Sequence, residues 1–214
     1  MTLELYFHPL SSYCQKALVA LYENETPFEG RKVDLSNPAE RDALARLWPI
    51  AKFPVLHDRG RDQIVPEASI VIEYLALHYP GPSKLVPADP DRARQTRLRD
   101  RFYDLYVNDQ VGKIVTDKFR PEGQHDVIGV DAAKARIREA YAMIDQELAD
   151  KAWAMGDTFT MADCAAAPAL FYANILIPIE AHKNAAAYLG RLMERPSFAR
   201  AVREAKPYLA LMPR

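Results

Sequence analysis

Pro80, Pro82, Pro87 and Pro90 stand within eleven residues, and no continuous helix or central strand can pass through such a run. They divide the 214-residue chain into two parts with different hydrophobic periods. Before them, short alternating runs and helical runs follow one another. Beyond them the pattern is helical almost to the end, with no convincing strand. This predicts an α/β domain over residues 1–80, a linker over 81–90 and an all-helical domain over 91–214. A chain of this length can bury two modest cores.

In the first part, Leu3, Leu5 and Phe7 alternate toward one face of a strand, which Pro9 and Ser11-Ser12 interrupt. Leu18, Leu21 and Tyr22 then recur in helical step. Residues 28–35 read as a second strand, and Pro38 opens a short helix to Leu47 capped by Ser36 or Asn37. Residues 53–57 and 63–65 form a hairpin around Asp58-Arg59-Gly60, and 67–78 is helical. The order is βαβαββα. Its strand–helix–strand start predicts a parallel pair, to which the hairpin adds antiparallel neighbours. Ser11 falls between a strand end and a helix start. Free backbone N–H groups and the positive end of the helix dipole at such a place favour an anion, whether phosphate, carboxylate or thiolate.

The 28 basic and 29 acidic side chains leave a net charge of −1, with no electrostatic reason to hold nucleic acid or an anionic membrane. No apolar run is long enough to span a bilayer. Met1-Thr2 leads straight into the first strand, so no secretory leader is expected. Cys14 and Cys164 cannot build a disulfide framework, so a cytoplasmic location is expected. The five histidines include no helical pair at ligand spacing, so no metal is expected.

Three ordered segments carry a resemblance: Tyr6-Phe7-His8-Pro9-Leu10-Ser11-Ser12-Tyr13-Cys14-Gln15-Lys16, Ala51-Lys52-Phe53-Pro54-Val55-Leu56, and Pro66-Glu67-Ala68-Ser69 running into Ile70-Val71-Ile72. In this order and spacing they resemble the cytosolic glutathione transferase superfamily, of a serine, bacterial type, across essentially the whole chain. The resemblance implies a thioredoxin-like first domain, glutathione as co-substrate, a small apolar electrophile and a homodimer. It implies that Ser11 donates a hydrogen bond to the glutathione sulfur and is the catalytic residue. Phe53-Pro54 matches the family's cis-proline, which turns the Phe53 backbone toward the cysteinyl backbone of the peptide. Lys52 matches a position that meets the glycyl carboxylate. Glu67 would pair with the γ-glutamyl ammonium, and Ala68 and Ser69 would hold its carboxylate. The usual hydroxyl is absent at Ala68, and Ser69 can substitute for it.

Neighbours compete with Ser11. Ser12 takes the hydroxyl role if the loop shifts by one residue. Tyr6 lies where tyrosine-type members carry their phenol, although packing is the alternative. Ser11-Ser12-Tyr13-Cys14 is similar to a glutaredoxin loop whose first Cys is replaced by Ser, leaving Cys14 a helical turn inside. Ser11 is also a natural helix cap. Ser-Ser before a basic residue is similar to the maleylacetoacetate isomerases, which have Cys where this chain has Tyr13, Trp at Gln15 and Arg at Lys16. Glutathione-dependent cis–trans isomerisation and a non-catalytic binding or regulatory role are therefore the rival readings.

In the second part, Asp91 to about Arg120 reads as one long helix and Asp131–Ala152 as another. Tyr103, Tyr106, Val107, Gln110 and Lys113 recur at three- and four-residue steps and can share a face. They are the expected lining of the electrophile pocket. Arg92 to Arg101 alternate with acids and read as a salt-bridged face. Thr160 with Asp163 forms a capping box, with Phe159 before it, opening a buried helix in which Cys164 is a core thiol.

Overall fold

The computed structural model describes residues 2–211. Its first domain runs β1 (Leu3–Phe7), α1 (Ser12–Glu23), β2 (Glu29–Lys32), α2 (Pro38–Leu47), β3 (Val55–Asp58), β4 (Gln63–Pro66) and α3 (Ala68–His78). The sheet order is β2-β1-β3-β4; β1 pairs parallel with β2, while β3 and β4 run antiparallel. The βαβαββα expectation holds. The second strand covers only four of the residues expected, all exposed on the sheet edge. Alternation in β1 sends Leu3 and Leu5 to one face, against Leu18 and Leu21 of α1 and Val71 and Leu75 of α3. Tyr6 goes to the other face, packing with Val55 over Leu44 of α2. Asn37 rather than Ser36 caps α2, accepting from the Ala39 N–H at 3.0 Å.

The second domain is helical: α4 (Pro90–Phe102), a π-helical turn (Tyr103–Asn108), α5 (Asp109–Asp117), α6 (Val127–Glu147), α7 (Met161–Leu176), α8 (Lys183–Glu194), α9 (Pro196–Ala205) and a 3-10 turn (Lys206–Leu211). The long helix expected from Asp91 is therefore interrupted by a π turn and stops at Asp117. The next begins four residues before Asp131 and ends at Glu147.

Helix α7 is the axis of this domain, and most of its side chains are buried. Its start is fixed by Asp163. That carboxylate accepts from the Thr160 N–H (2.8 Å), the Ala154 N–H (2.8 Å) and the Tyr188 hydroxyl (2.6 Å), completing the capping box. Phe159 joins the same core edge-on to Trp153, beneath the Arg195 guanidinium. Glu23 of α1 receives two bonds from Arg195 at 2.6 and 2.7 Å and ties the two domains together. Among the described residues no helix is long and apolar enough to cross a membrane.

Candidate active site

Ser11 is the N-cap of α1: its backbone is extended (φ −74°, ψ 122°) and its Oγ accepts from the Cys14 N–H at 3.3 Å. A hydroxyl has one hydrogen to give and two lone pairs, so accepting the cap bond does not use its O–H. The cap reading and the thiolate reading are compatible. Ser12 is the first helical residue, and both serines are half-buried at a cleft of about 360 Å³.

Two competitors are drawn elsewhere. The Tyr6 hydroxyl donates to Glu4 at 3.3 Å on the opposite face of the sheet. Cys14 is fully buried, and desolvation pushes its thiol up to about 12, so it is no nucleophile near neutrality. Cys164 is likewise buried, its thiol raised for the same reason.

A narrower groove of about 180 Å³ gathers Lys52, Phe53, Pro54, Glu67 and Ala68. The Phe53-Pro54 peptide is cis. Glu67 caps α3 with a left-handed backbone (φ 71°, ψ 123°), a conformation that costs an L-residue on the order of 1–3 kcal/mol. Its side chain makes no capping bond and is exposed, so the carboxylate remains available beside the first N–H groups of the helix.

Ser69 does not take the place of the missing hydroxyl. It is buried, accepts from Lys16 Nζ at 2.8 Å and donates to Asp100 at 2.7 Å. Those bonds commit it to a cluster at the domain seam, in which Lys16 Nζ also lies 2.7 Å from both Asp100 and Asp104. One lysine faces two carboxylates. Burial, with the Asp100 charge adding to it, pushes the Asp104 carboxyl up to about 6, although Lys16 opposes the shift. The sequence signal for this cluster was a lysine inside the apolar run from Cys14 to Leu21.

The residues expected to line the electrophile pocket are elsewhere. Tyr103 and Val107 are in the helical core. Tyr106 flanks a groove between α4 and α6, and Gln110 is bonded to the Leu105 carbonyl and to Lys113. The cleft beside Ser11 is instead walled by Asn108, Val111, Val115 and Phe119, with Leu10 and Tyr172 opposite.

The π turn is the cause. In an α-helix, positions five apart lie about 140° from each other, whereas an i→i+5 turn brings them nearly into line. The Asp109 N–H bonds the Asp104 carbonyl across this turn. Asp104 and Asp109 then both face α1, where Lys16 and Tyr13 share a side at three-residue spacing. The Tyr13 hydroxyl donates to Asp109 Oδ1 at 2.7 Å. Tyr13 and Asp109 line the cleft and the groove alike and mark where the two meet.

The last described turn closes one wall. Tyr208 sits edge-on to His8 with ring centres 5.1 Å apart, its hydroxyl accepts from Lys32 at 2.8 Å, and Leu211 borders the cleft.

Comparison with known proteins bears on this geometry. Residues 5–83 match the family model described as glutathione S-transferase, N-terminal domain, and residues 128–191 match the corresponding C-terminal domain model. The chain is 27% identical over 197 residues to glutathione S-transferase GstB of Escherichia coli K12, covering 90% of this chain and 93% of that one. It is 26% identical over 208 residues to a stringent starvation protein A homolog of Coxiella burnetii (96% and 93% covered). A glutathione S-transferase from Methylobacterium radiotolerans, solved in complex with glutathione sulfonate, superposes with a TM-score of 0.83 at 30% identity, over 94% of each chain.

Proposed function

The chain belongs to the glutathione S-transferase family and is a glutathione transferase enzyme, and from that premise we propose that it conjugates the glutathione thiolate to small, apolar electrophiles. The observation carrying this reading is the meeting, at Tyr13 and Asp109, of a groove that gathers Lys52, Phe53, Pro54 and Glu67 with an apolar cleft bordered by the Ser11 hydroxyl.

In the groove, Glu67 pairs with the γ-glutamyl ammonium and the α3 N-terminus holds the adjoining carboxylate. The Phe53 backbone pairs with the cysteinyl unit, as an added strand does. Lys52 meets the glycyl carboxylate. Ser11 donates to the sulfur, and the α1 N-terminus adds to the stabilisation of the thiolate. The thiolate attacks an electrophilic carbon, a carbon–sulfur bond forms, and the leaving group departs with its electron pair while the thiol proton goes to solvent. The cleft selects by shape and apolar contact, hence broadly.

Calorimetric titration with glutathione and turnover of chlorodinitrobenzene test the proposal. Binding at millimolar glutathione or tighter, with catalysed release of chloride, is expected. Absence of both would move the chain to the non-catalytic binding or regulatory reading.

The protein is also proposed to be a two-fold dimer. Leu98, Leu105, Tyr106 and Met143 are exposed around a groove of about 530 Å³ on α4 and α6, and Ile70 and Leu77 are exposed on α3. Apolar surface of this extent asks for cover. Light scattering at micromolar concentration should give twice the 24.2 kDa chain mass, and Leu105→Glu should shift it toward the monomer.

A further inference from the structure

Among the described residues, the cleft beside Ser11 is bordered by one charged side chain, Asp109, and by no cationic one. Asp109 is held at that spot twice over: the π turn aims it at α1, and the Tyr13 hydroxyl donates to it. Among the described residues no cationic side chain forms an ion pair with it. Behind it, Lys16 lies between Asp100 and Asp104, with Arg101 3.6 Å from Asp100. Lys113, one turn further along α5, donates to Gln110. Lys52 lies on the groove side, where the peptide's own carboxylate is placed by the proposed function.

We propose that Asp109 is a specificity-determining charge filter. It admits uncharged electrophiles to the point where groove and cleft meet, and it repels those that carry a carboxylate near the reacting carbon. The inference rests on the transferase reading and narrows its substrate class. It also disfavours cis–trans isomerisation of a dicarboxylate, which would bring like charge against Asp109 with no cation among the described lining residues to receive it.

The test uses the full chain and two chloronitroarenes alike except that one bears a carboxamide and the other a carboxylate. In both, the sulfur–carbon bond forms as chloride leaves with the bonding pair. Each kcat/KM is divided by the uncatalysed rate with glutathione, so intrinsic reactivity cancels. The parent should favour the amide by tenfold or more. Asp109→Asn keeps an acceptor for Tyr13 but loses the charge, and should give up about tenfold of that preference, or about 1.4 kcal/mol. Added salt should narrow the parent's preference too. An unchanged ratio in a folded Asp109→Asn protein would overturn the filter. So would a parent that accepts both compounds equally, a result that decides even if the variant does not fold. If the parent turns over neither compound, the transferase reading fails and the filter with it.

Discussion

Replacing Ser11 by alanine should raise the pKa of bound glutathione and slow turnover in proportion to the lost thiolate. The structure sets the magnitude. The Ser11 Oγ spends one lone pair on the Cys14 N–H, and in the proposed role its hydrogen goes to the sulfur. A hydrogen bond to a charged group is worth roughly 1.5–3 kcal/mol, or about one to two pKa units. The α1 N-terminus remains in the variant, so only this part is lost. A thiol held near pH 6.5 is about half ionised there, whereas one raised by about one to two units is roughly 1–10% ionised. The rate should fall about fivefold to fiftyfold there, and by less than about twofold near pH 9, where solvent deprotonates the thiol unaided. Glutathione affinity should hardly change, because the groove residues grip the peptide. The assay is a pH–rate profile with chlorodinitrobenzene, paired with absorbance titration of the bound thiolate. Ser12→Ala, Tyr6→Phe and Cys14→Ala serve as controls, since Tyr6 is bonded to Glu4 and Cys14 is buried. If Ser11→Ala kept the parent's profile while Tyr6→Phe or Cys14→Ala lost it, the argument for this hydroxyl would be wrong.

Three further outcomes concern the seam and the core. Lys16→Met should cost about 3–5 kcal/mol in denaturant unfolding, because it strands Asp100 and Asp104 without their buried partner. Asp104 is raised in the fold from 3.8 to about 6; a carboxyl raised on folding favours the folded state at low pH and loses that contribution as pH rises through its folded value. Asp104→Asn should therefore flatten the decline in stability as pH rises toward about 6, read from unfolding curves across that range. Asp163→Ala removes the acceptor for Ala154, Thr160 and Tyr188 and should cost about 3 kcal/mol or more, against about 1 kcal/mol for Thr160→Ala, when the two are compared in urea.

The parts of the fold that follow a fixed period were legible in the residues. Leu3, Leu5 and Phe7 announce β1, and Thr160 with Asp163 announces the start of α7, because each rule acts within a few residues. The lining of the cleft was not legible. Projection at the α-helical angle puts Tyr103, Tyr106, Val107 and Gln110 on one stripe. The π turn shifts that phase, so Asn108, Asp109 and Val111 meet the cleft while Tyr103 and Val107 enter the core. A π turn has no compositional signature, being settled by what the next domain offers, here Tyr13 and Lys16. Ser69 misled for a related reason: its neighbour in sequence is the glutamate of the groove, but its partners in space are Lys16 and Asp100.

The short turn ending at Leu211 bears on how the protein should be handled. Tyr208 is moored to His8 and Lys32, two residues of the first domain, and Leu211 stands at the rim of the cleft. A purification tag or fluorescent fusion that follows this turn therefore enters the chain on the side of the cleft wall. It can drape over the opening or pull the turn from its mooring. The beginning of β1 lies at the other end of its strand from the Ser11 loop. An amino-terminal tag is the one to use when catalytic constants are compared.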